Sequence, residues 1–444
     1  MNALANIFVR KLLSGGAAAF VLKFAGGGLM LLLLGQLAWM LGPEEFGAFG
    51  ISFTAATLLA TVGSFGQRMA SLRFSSALVT HDLNAAMVPV RKGALLVAGG
   101  SGGIGLALIL ADLAGIAPGP RGLAAATGAL TFVLALAEYQ AHYLRAFGPV
   151  ASALAPRDLF WRLGALAAFV VIVPDDAVEA IAIMTAILLV TTVAQRHLHR
   201  GHGKLPLRND CIASEGFACE TGMSDVERKI AWRSAIPGLW ALSVLQIATP
   251  QIAVLILGAQ LDAASSGAFF AAQRAAGLVA LILTAGNIAA GPMIAAAYAE
   301  GRYADLAHIC RLVAGGSLAL ASIAALFAAL FGGPAMAFFG PGFEHALPAL
   351  LILIGGQLVN AATGPVSVLL ELSGRERTAL RLSVIVTIAS MPTLWVAVGL
   401  WGMEGAATVQ ALAVSIWTVL AVLMARKIPG IDPSIGGFLW PVRR

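Results

Sequence analysis

The sequence predicts an all-α membrane protein of about twelve transmembrane helices in two pseudo-symmetric six-helix bundles. Hydrophobic residues make up 59% of the 444 positions and charged residues only 11%, whereas a soluble domain carries about 25% charged residues. Apolar runs of about twenty residues recur along the whole chain, and each is long enough to cross a hydrocarbon core of about 30 Å. Because backbone amides in lipid must be paired within the protein, such runs are helices.

Twelve apolar runs give the predicted order of the elements. A polar loop at 196–232 divides them into an N-terminal lobe at 1–195 and a C-terminal lobe at 233–444. The fifth run is short for a full crossing. The predicted spans are 14–41, 46–66, 93–116, 123–143, 159–173, 178–194, 234–257, 267–298, 312–339, 347–370, 379–400 and 405–424.

Lysine and arginine are distributed unequally between alternate loops. Twenty-five of the 28 fall on one side of the predicted membrane, together with both termini and the 196–232 loop. Arg121 lies on the opposite side, and Lys23 and Arg274 fall within predicted helices. Since loops rich in Lys and Arg stay in the cytoplasm, we expect cytoplasmic termini in a bacterial inner membrane. The basic charge forms no stripe or aromatic platform, which argues against nucleic acid as a partner.

The two halves of the chain share a local pattern. The first predicted hairpin contains Leu41-Gly42 and then Gly47-Ala48-Phe49, and the seventh contains Leu257-Gly258 and then Gly267-Ala268-Phe269. Six spans in each half, both beginning on the same side, imply parallel repeats related by an axis along the membrane normal. A cavity between the two lobes is therefore expected.

The first of these hairpins also resembles a known family. Its segment Leu41–Gly50 reads LGPEEFGAFG and is similar to the first extracytoplasmic turn of the Wzx-type polysaccharide flippases (PST family) of the multidrug/oligosaccharidyl-lipid/polysaccharide (MOP) superfamily. The resemblance covers nearly the whole chain in length, span count and orientation, and implies a MATE-like pair of six-helix bundles with a cavity between them. Looser similarities occur at 267–274, 292–298 with Glu300-Gly301 after it, and 360–365 followed by Ser373-Gly374-Arg375.

The resemblance implies translocation of undecaprenyl-diphosphate-linked oligosaccharide units across the inner membrane for O-antigen, capsule or exopolysaccharide assembly. Its implied partners are this lipid-linked substrate, the bilayer, and a polysaccharide polymerase with export machinery; no cofactor and no enzymatic activity are implied. The main alternative is an ion-coupled multidrug exporter of the same fold. A membrane polymerase or ligase is disfavoured because the outer loops are short, and a peptidoglycan-precursor flippase because relatives with that role commonly carry two additional helices.

An anionic diphosphate headgroup predicts cations inside the membrane, where each costs about 2.5–3.5 kcal/mol by insertion scales. Lys23 and Arg274 are the candidates, with Gln273 beside Arg274 as a hydrogen-bonding partner. Either cation could instead extend its side chain to the membrane surface. Amides within the predicted spans could contact sugar hydroxyls or bond neighbouring helices; they are Gln36, Gln246, Gln251, Asn287, Gln357 and Asn360.

A second constellation lies in the fourth span. Glu138, His142 and Arg145 are spaced i, i+4 and i+7 and share one helical face. They form either a protonatable relay that couples transport to an ion gradient, with Glu138 as carrier and His142 as modulator, or a structural ion pair at the cytoplasmic end of the span, which is the favoured reading.

No metal site is predicted. The 196–232 loop contains histidines and cysteines, but their spacing fits no zinc pattern, and the thiols should stay free in the cytoplasm. The glycine-rich stretch at 99–105 lies inside a membrane span with no strand before it, which favours helix packing over phosphate binding.

Overall fold

The computed structural model describes residues 17–76, 83–148, 150–201, 225–372, 376–427 and 432–439. Within these ranges the chain is helical almost throughout and contains no strand. A π-helical turn, Pro156–Phe160, joins α5 to α6, and a 3-10 turn, Glu344–Ala346, precedes α11. The helices are α1 Ala17–Gly63, α2 Gln67–Ser76, α3 Leu83–Leu113, α4 Leu123–Phe147, α5 Val150–Ala155, α6 Trp161–Val171, α7 Ala177–Gly201, α8 Asp225–Gln260, α9 Ala263–Ala299, α10 Tyr303–Ala337, α11 Leu347–Thr363, α12 Val366–Leu372, α13 Glu376–Ala425 and α14 Gly436–Leu439.

The two longest helices each contain two membrane spans. α1 turns at Gly42 (φ 74°, ψ 174°) and α13 at Gly402 (φ 56°, ψ −133°), which are backbone conformations that favour glycine. Nine described helices are long and apolar enough to cross a membrane. Counting both arms of α1 and α13, and adding the segment from α5 to α6, gives twelve spanning segments in the described part of the chain. The predicted all-α membrane fold is confirmed.

Four predicted boundaries are corrected by the structure. The expected loop after the second span forms α2, because its serines bond neighbouring helices: Ser75 Oγ donates to Ala86 O at 2.9 Å. The third helix begins at Leu83, before the predicted span. The fifth span begins at Val150 and is interrupted by the π-turn at Pro156, which has no N–H for a regular helix. The tenth ends at Thr363, because Gly364 (φ 69°) and Pro365 follow.

The 196–232 loop is only partly described. Helix α7 continues to Gly201 and α8 starts at Asp225, so each end of the predicted loop is helical. His202, Cys211 and Cys219 lie outside the described residues, as do Ser373-Gly374-Arg375 and the basic residues of both termini.

The ends of the helices form two opposite faces of the molecule. We name one the Gly42 end, because the turns at Gly42, Asp262, Gly340 and Gly402 meet there. We name the other the Arg68 end, after the arginine in α2. Helices pack mainly within each half of the chain, and α1 carries most of the contact between the halves, against α8 and α9.

The two halves meet at the Gly42 end through the repeated Gly-Ala-Phe motif. A Cβ on Gly47 would overlap the carbonyl of Ala263, and a Cβ on Gly267 would lie 2.8 Å from Gly47 Cα. The missing side chains therefore allow backbone contact between the second arm of α1 and α9. The motif found twice in the sequence meets itself in the fold.

Aromatic rings close the same end of the molecule. Ring centroids of Phe46 and Phe270 lie 6.2 Å apart, and those of Phe46 and Phe343 lie 5.5 Å apart. Phe49 and Phe53 extend the cluster along α1. All five rings are buried. We call this group the Phe cluster; it joins residues of both halves and seals the Gly42 end.

The acidic turn of the Leu41–Gly50 motif has a structural role. Glu45 Oε2 accepts a hydrogen bond from Ala177 N at 3.0 Å, at the first residue of α7. A carboxylate at a helix N-terminus is favoured by the helix dipole. The motif thereby ties the turn at Gly42 to a neighbouring helix.

Candidate functional site

A cavity of about 740 Å³ lies beneath the Phe cluster. Its walls come from α8, α9, α11, α12 and α13 of the second half, and from α1 and α6 of the first half. It extends from Arg274 towards Ala379 and Leu380 at the start of α13. The volume is within the range of about 300–1,000 Å³ that is usual for small-molecule sites.

Arg274 lines this cavity at its junction with the Phe cluster. Its guanidinium carbon lies 4.8 Å from the ring centroid of Phe270 and 5.7 Å from that of Phe53. Stacking on these aromatic faces offsets part of the cost of burying a cation. Its Nε and Nη2 atoms are buried, and no described residue accepts a hydrogen bond from them. Arg274 is thus a cation held against aromatic faces at the edge of the cavity.

A second cation, Arg162, enters the cavity from the first half of the chain. Its Nη1 donates to Asp158 O at 2.9 Å, and its Nε is buried without a hydrogen-bond partner. Gly26 makes room for it, because a Cβ there would lie 2.6 Å from Arg162 Nη1. Arg162 is attracted by the carboxylate of Asp158 and repelled by Arg157 and Arg274, which carry charges of its own sign.

The cavity is therefore positive. Among its described lining residues, Arg162 and Arg274 are the only charged side chains. The carboxylate of Asp158, one turn before Arg162, is outside the lining; it pairs with Arg157 at 3.3 Å and also attracts Arg162. Buried N–H donors without acceptors are costly, and a phosphate group would satisfy them through charge-assisted hydrogen bonds. The arrangement can hold an anionic group between the two halves.

The structure brings three of the six predicted binding residues together. Arg274, Gln273 and Asn360 line the cavity, whereas Lys23, Gln36 and Asn287 are not among its described lining residues. A binding role for these last three remains a prediction. Lys23 lies among the charged groups of the first half, where it interacts electrostatically with Arg157, Asp158, Arg145 and Glu138.

Sequence reasoning overlooked Arg162. The distribution of basic residues groups it with the cytoplasmic loops, although it is the fourth residue of the predicted fifth span, 159–173. That position was the available signal. The π-turn at Pro156–Phe160 precedes it and could not be read from the apolar pattern.

Glu138 lies at the centre of a buried ion network. Arg157 donates to its Oε1 through Nη2 at 2.5 Å and through Nε at 2.8 Å, and Arg68 Nη1 lies 3.5 Å from its Oε2. His142 Nδ1 is 3.9 Å from the same Oε2. The network joins α2, α4 and the π-turn, which supports a structural role for Glu138. A coupling role for Glu138, His142 and Arg145 remains a prediction.

Comparisons with known proteins add evidence on the fold. No family model and no curated protein sequence matches the chain. Solved structures match along its length. One is an inward-facing multidrug resistance MATE family transporter of the MOP superfamily, with 15% identity and a TM-score of 0.64, over 92% of this chain and 97% of that one. Another is an outward-facing transporter of the same family, with 16% identity and a TM-score of 0.62, over 94% of this chain and 97% of that one. A MOP superfamily transporter from Pyrococcus furiosus is also similar, with 15% identity and a TM-score of 0.63, over 97% of this chain and 98% of that one.

The chain has the fold of the MATE transporters. At 15–16% identity the similarity establishes the fold alone. It confirms the MATE-like architecture that the Leu41–Gly50 motif implied. In the described residues of this fold, the cavity and its two arginines lie where the halves meet.

Proposed function

We propose that this protein is a membrane transporter that translocates undecaprenyl-diphosphate-linked oligosaccharide units for polysaccharide assembly. The observation that carries the proposal is the charge of the cavity. Two guanidiniums, one from each half, face a space lined by no carboxylate in the described residues. A diphosphate diester carries two negative charges, which match Arg162 and Arg274.

The similar structures support transport as the general function. In the Pyrococcus furiosus transporter, the reverse polarity of the binding pocket suggests a different function. Cavity polarity therefore differs among proteins of this fold. A positive cavity disfavours a cationic drug as the substrate here, because like charges repel in a poorly hydrated space.

The direction of loading follows from where the molecule is closed. The Gly47–Gly267 contact and the Phe cluster close the Gly42 end. The cavity extends away from it towards the start of α13, although the halves also touch near the Arg68 end, where Trp240 contacts Val62 and Phe65. By the distribution of lysine and arginine, the Arg68 end is the cytoplasmic one. The headgroup would then enter from the cytoplasmic leaflet while the isoprenoid chain stays in lipid, and leave on the far side for the polymerase and export machinery.

Binding to purified protein tests the proposal. The probe is a farnesyl-diphosphate-linked disaccharide, and the dye rhodamine 6G is the cationic competitor. One hydrogen bond to a charged group contributes about 1.5–3 kcal/mol, so Arg162→Gln or Arg274→Gln should weaken binding about 10- to 150-fold. Arg302→Gln is the matched control, because Arg302 is an exposed arginine paired with Glu300 and Asp305. Tighter binding of the dye than of the lipid probe would favour the drug-exporter alternative.

A further inference from the structure

The chain turns back onto its own second half after the last long helix. α13 ends at Ala425, about 35 Å along the helix from the turn at Gly402 and therefore at the Arg68 end. The described residues 432–437, which we name the strap, then pack against α10 and the end of α11. Asp432 in the strap is 2% exposed. The strap lies at the break between α11 and α12.

The break leaves a backbone carbonyl of α11 without its helical donor. α11 stops because Gly364 has a φ of 69° and Pro365 has no N–H. Val366 N, which would bond Ala362 O in a continuous helix, donates to Gly364 O at 2.8 Å. Carbonyls in the last turn of a helix need partners from elsewhere. The strap supplies one, because Ile435 N donates to Ala362 O at 3.0 Å.

Two glycines allow the strap to approach closely. A Cβ on Gly364 would lie 2.7 Å from Pro433 O, and a Cβ on Gly437 would lie 2.6 Å from Arg311 Nε in α10. The backbone of the strap therefore fits directly against the break on one side and against α10 on the other.

A buried carboxylate fastens the strap to the end of α13. Asp432 Oδ2 accepts a hydrogen bond from Arg426 Nε at 3.0 Å and lies 2.8 Å from Arg426 Nη2. Asp432 Oδ1 accepts from Ser434 N at 3.0 Å and from Ser434 Oγ at 2.7 Å. Such charge-assisted bonds are the strong ones. The Arg426 side chain is 45% exposed, so water competes for it. The anchor orders the strap and is accessible enough to be released.

The two helices joined at the break both line the cavity. Gln357 and Asn360 lie in α11 before the break, and Ser367 lies in α12, three residues after Gly364. α12 has seven residues, and a helix this short depends on its neighbours for stability. It packs on α9 and α13, and the strap fixes the break at its beginning. Movement of α12 about Gly364 would displace this wall of the cavity.

We propose that the strap is a lock on the present shape of the cavity. While Asp432 is paired and the strap is docked, the break is fixed and α12 stays aligned with α11. When the strap leaves, α12 moves about Gly364 and the cavity wall at Ser367 moves with it. This inference goes beyond the proposed function, because it does not depend on which substrate the cavity holds.

Two measurements on the purified full-length protein follow the strap and the wall separately. Hydrogen–deuterium exchange with mass spectrometry reports release of the strap through the backbone amides of 432–439. The rate at which a charged methanethiosulfonate modifies Ser367→Cys reports the α12 wall. The background lacks Cys211 and Cys219 and keeps Cys310, which is buried and whose own labelling is the blank.

Asp432→Asn should raise both rates. It removes the charge-assisted bonds to Arg426, so the population with a released strap, and with it the exchange rate of the strap, should grow about tenfold or more. The modification rate at Ser367→Cys should rise with it. Asp305→Asn is the matched control, because it removes an exposed carboxylate of α10 that pairs with Arg302 and does not touch the strap. It should leave both rates unchanged.

A second variant releases the strap without a change of charge. Gly437→Ala places a Cβ against Arg311 Nε, so it should raise the same two rates, and it replaces Asp432→Asn if that variant does not fold. A second reporter, Thr249→Cys, lies on the α8 wall of the cavity. Its modification rate should stay constant in every variant.

Three results would overturn the lock. Faster exchange of the strap with an unchanged rate at Ser367→Cys would show that the strap does not control the wall. Equal acceleration at Ser367→Cys and Thr249→Cys would show that the whole cavity loosens instead of α12. Unchanged exchange of the strap in both Asp432→Asn and Gly437→Ala would show that these contacts do not hold it.

Discussion

The contact between Gly47 and Gly267 predicts that a single methyl group shifts the protein towards opening at its Gly42 end. An alanine Cβ at position 267 would lie 2.8 Å from Gly47 Cα and 2.9 Å from Gly47 N. Normal carbon contacts are about 3.5–4.0 Å, so Gly267→Ala requires the two helices to separate by about 1 Å. Overpacking of this kind costs about 1–3 kcal/mol. A conformation in which the helices are already apart does not bear that cost.

The expected shift in population is therefore about 5- to 150-fold. Nitroxide labels at Glu44→Cys and Leu261→Cys, in a background without Cys211, Cys219 and Cys310, report the distance across the Gly42 end by double electron–electron resonance. Gly267→Ala should add a component at longer distance. Gly47→Ala should add more, because its Cβ would overlap the carbonyl of Ala263.

Gly316→Ala is the matched control, because a Cβ at this helical glycine meets nothing within 4 Å. It should leave the distance distribution unchanged and slightly favour the helix. An unaltered distribution in Gly267→Ala, with unaltered thermal stability, would refute the view that backbone contact holds this end closed.

Three further predictions concern stability, measured by thermal unfolding in detergent. Glu138→Ala should lower the free energy of unfolding by about 3–5 kcal/mol, because it removes the carboxylate that Arg68 contacts and leaves Arg157 with Asp158 as its carboxylate partner; an unchanged melting temperature would contradict the structural role. Asp432→Ala should lower the free energy of unfolding by about 1–3 kcal/mol. Asp432 is 2% exposed, and its carboxylate accepts hydrogen bonds from Arg426 at 3.0 Å and from Ser434 at 2.7 Å. Asp305→Ala, at the molecular surface, is the control. Trp240→Phe should lower the free energy of unfolding by about 0.5–1.5 kcal/mol, because it removes the hydrogen bond that Nε1 donates to Val62 O at 2.9 Å. Equal stability of the variant would show that this contact between the halves contributes nothing.

Long apolar runs were enough to predict the membrane fold, because hydrocarbon thickness and backbone pairing leave few other structures. The turn at Gly42 was also predictable, since a glycine between two apolar runs favours a positive φ. The break at Pro156–Phe160 was not, because a π-turn depends on local geometry that the apolar pattern does not record.

The candidate site was predictable only in part. Arg274 stood out as a cation within a span, and the structure places it in the cavity. Arg162 did not, because an arginine near the start of a span is usually a surface residue. The partners of Glu138 lie 70 and 19 positions away, at Arg68 and Arg157, and helical spacing reports only neighbours within one helix.

The most direct test of the central claim is the rate at which a fluorescent lipid-diphosphate oligosaccharide crosses the bilayer of proteoliposomes. The wild-type protein should accelerate flipping, and the double variant Arg162→Gln/Arg274→Gln should lose that acceleration, while the Arg302→Gln variant keeps it. Flipping by the double variant at the wild-type rate would contradict the claim that these two arginines hold the diphosphate.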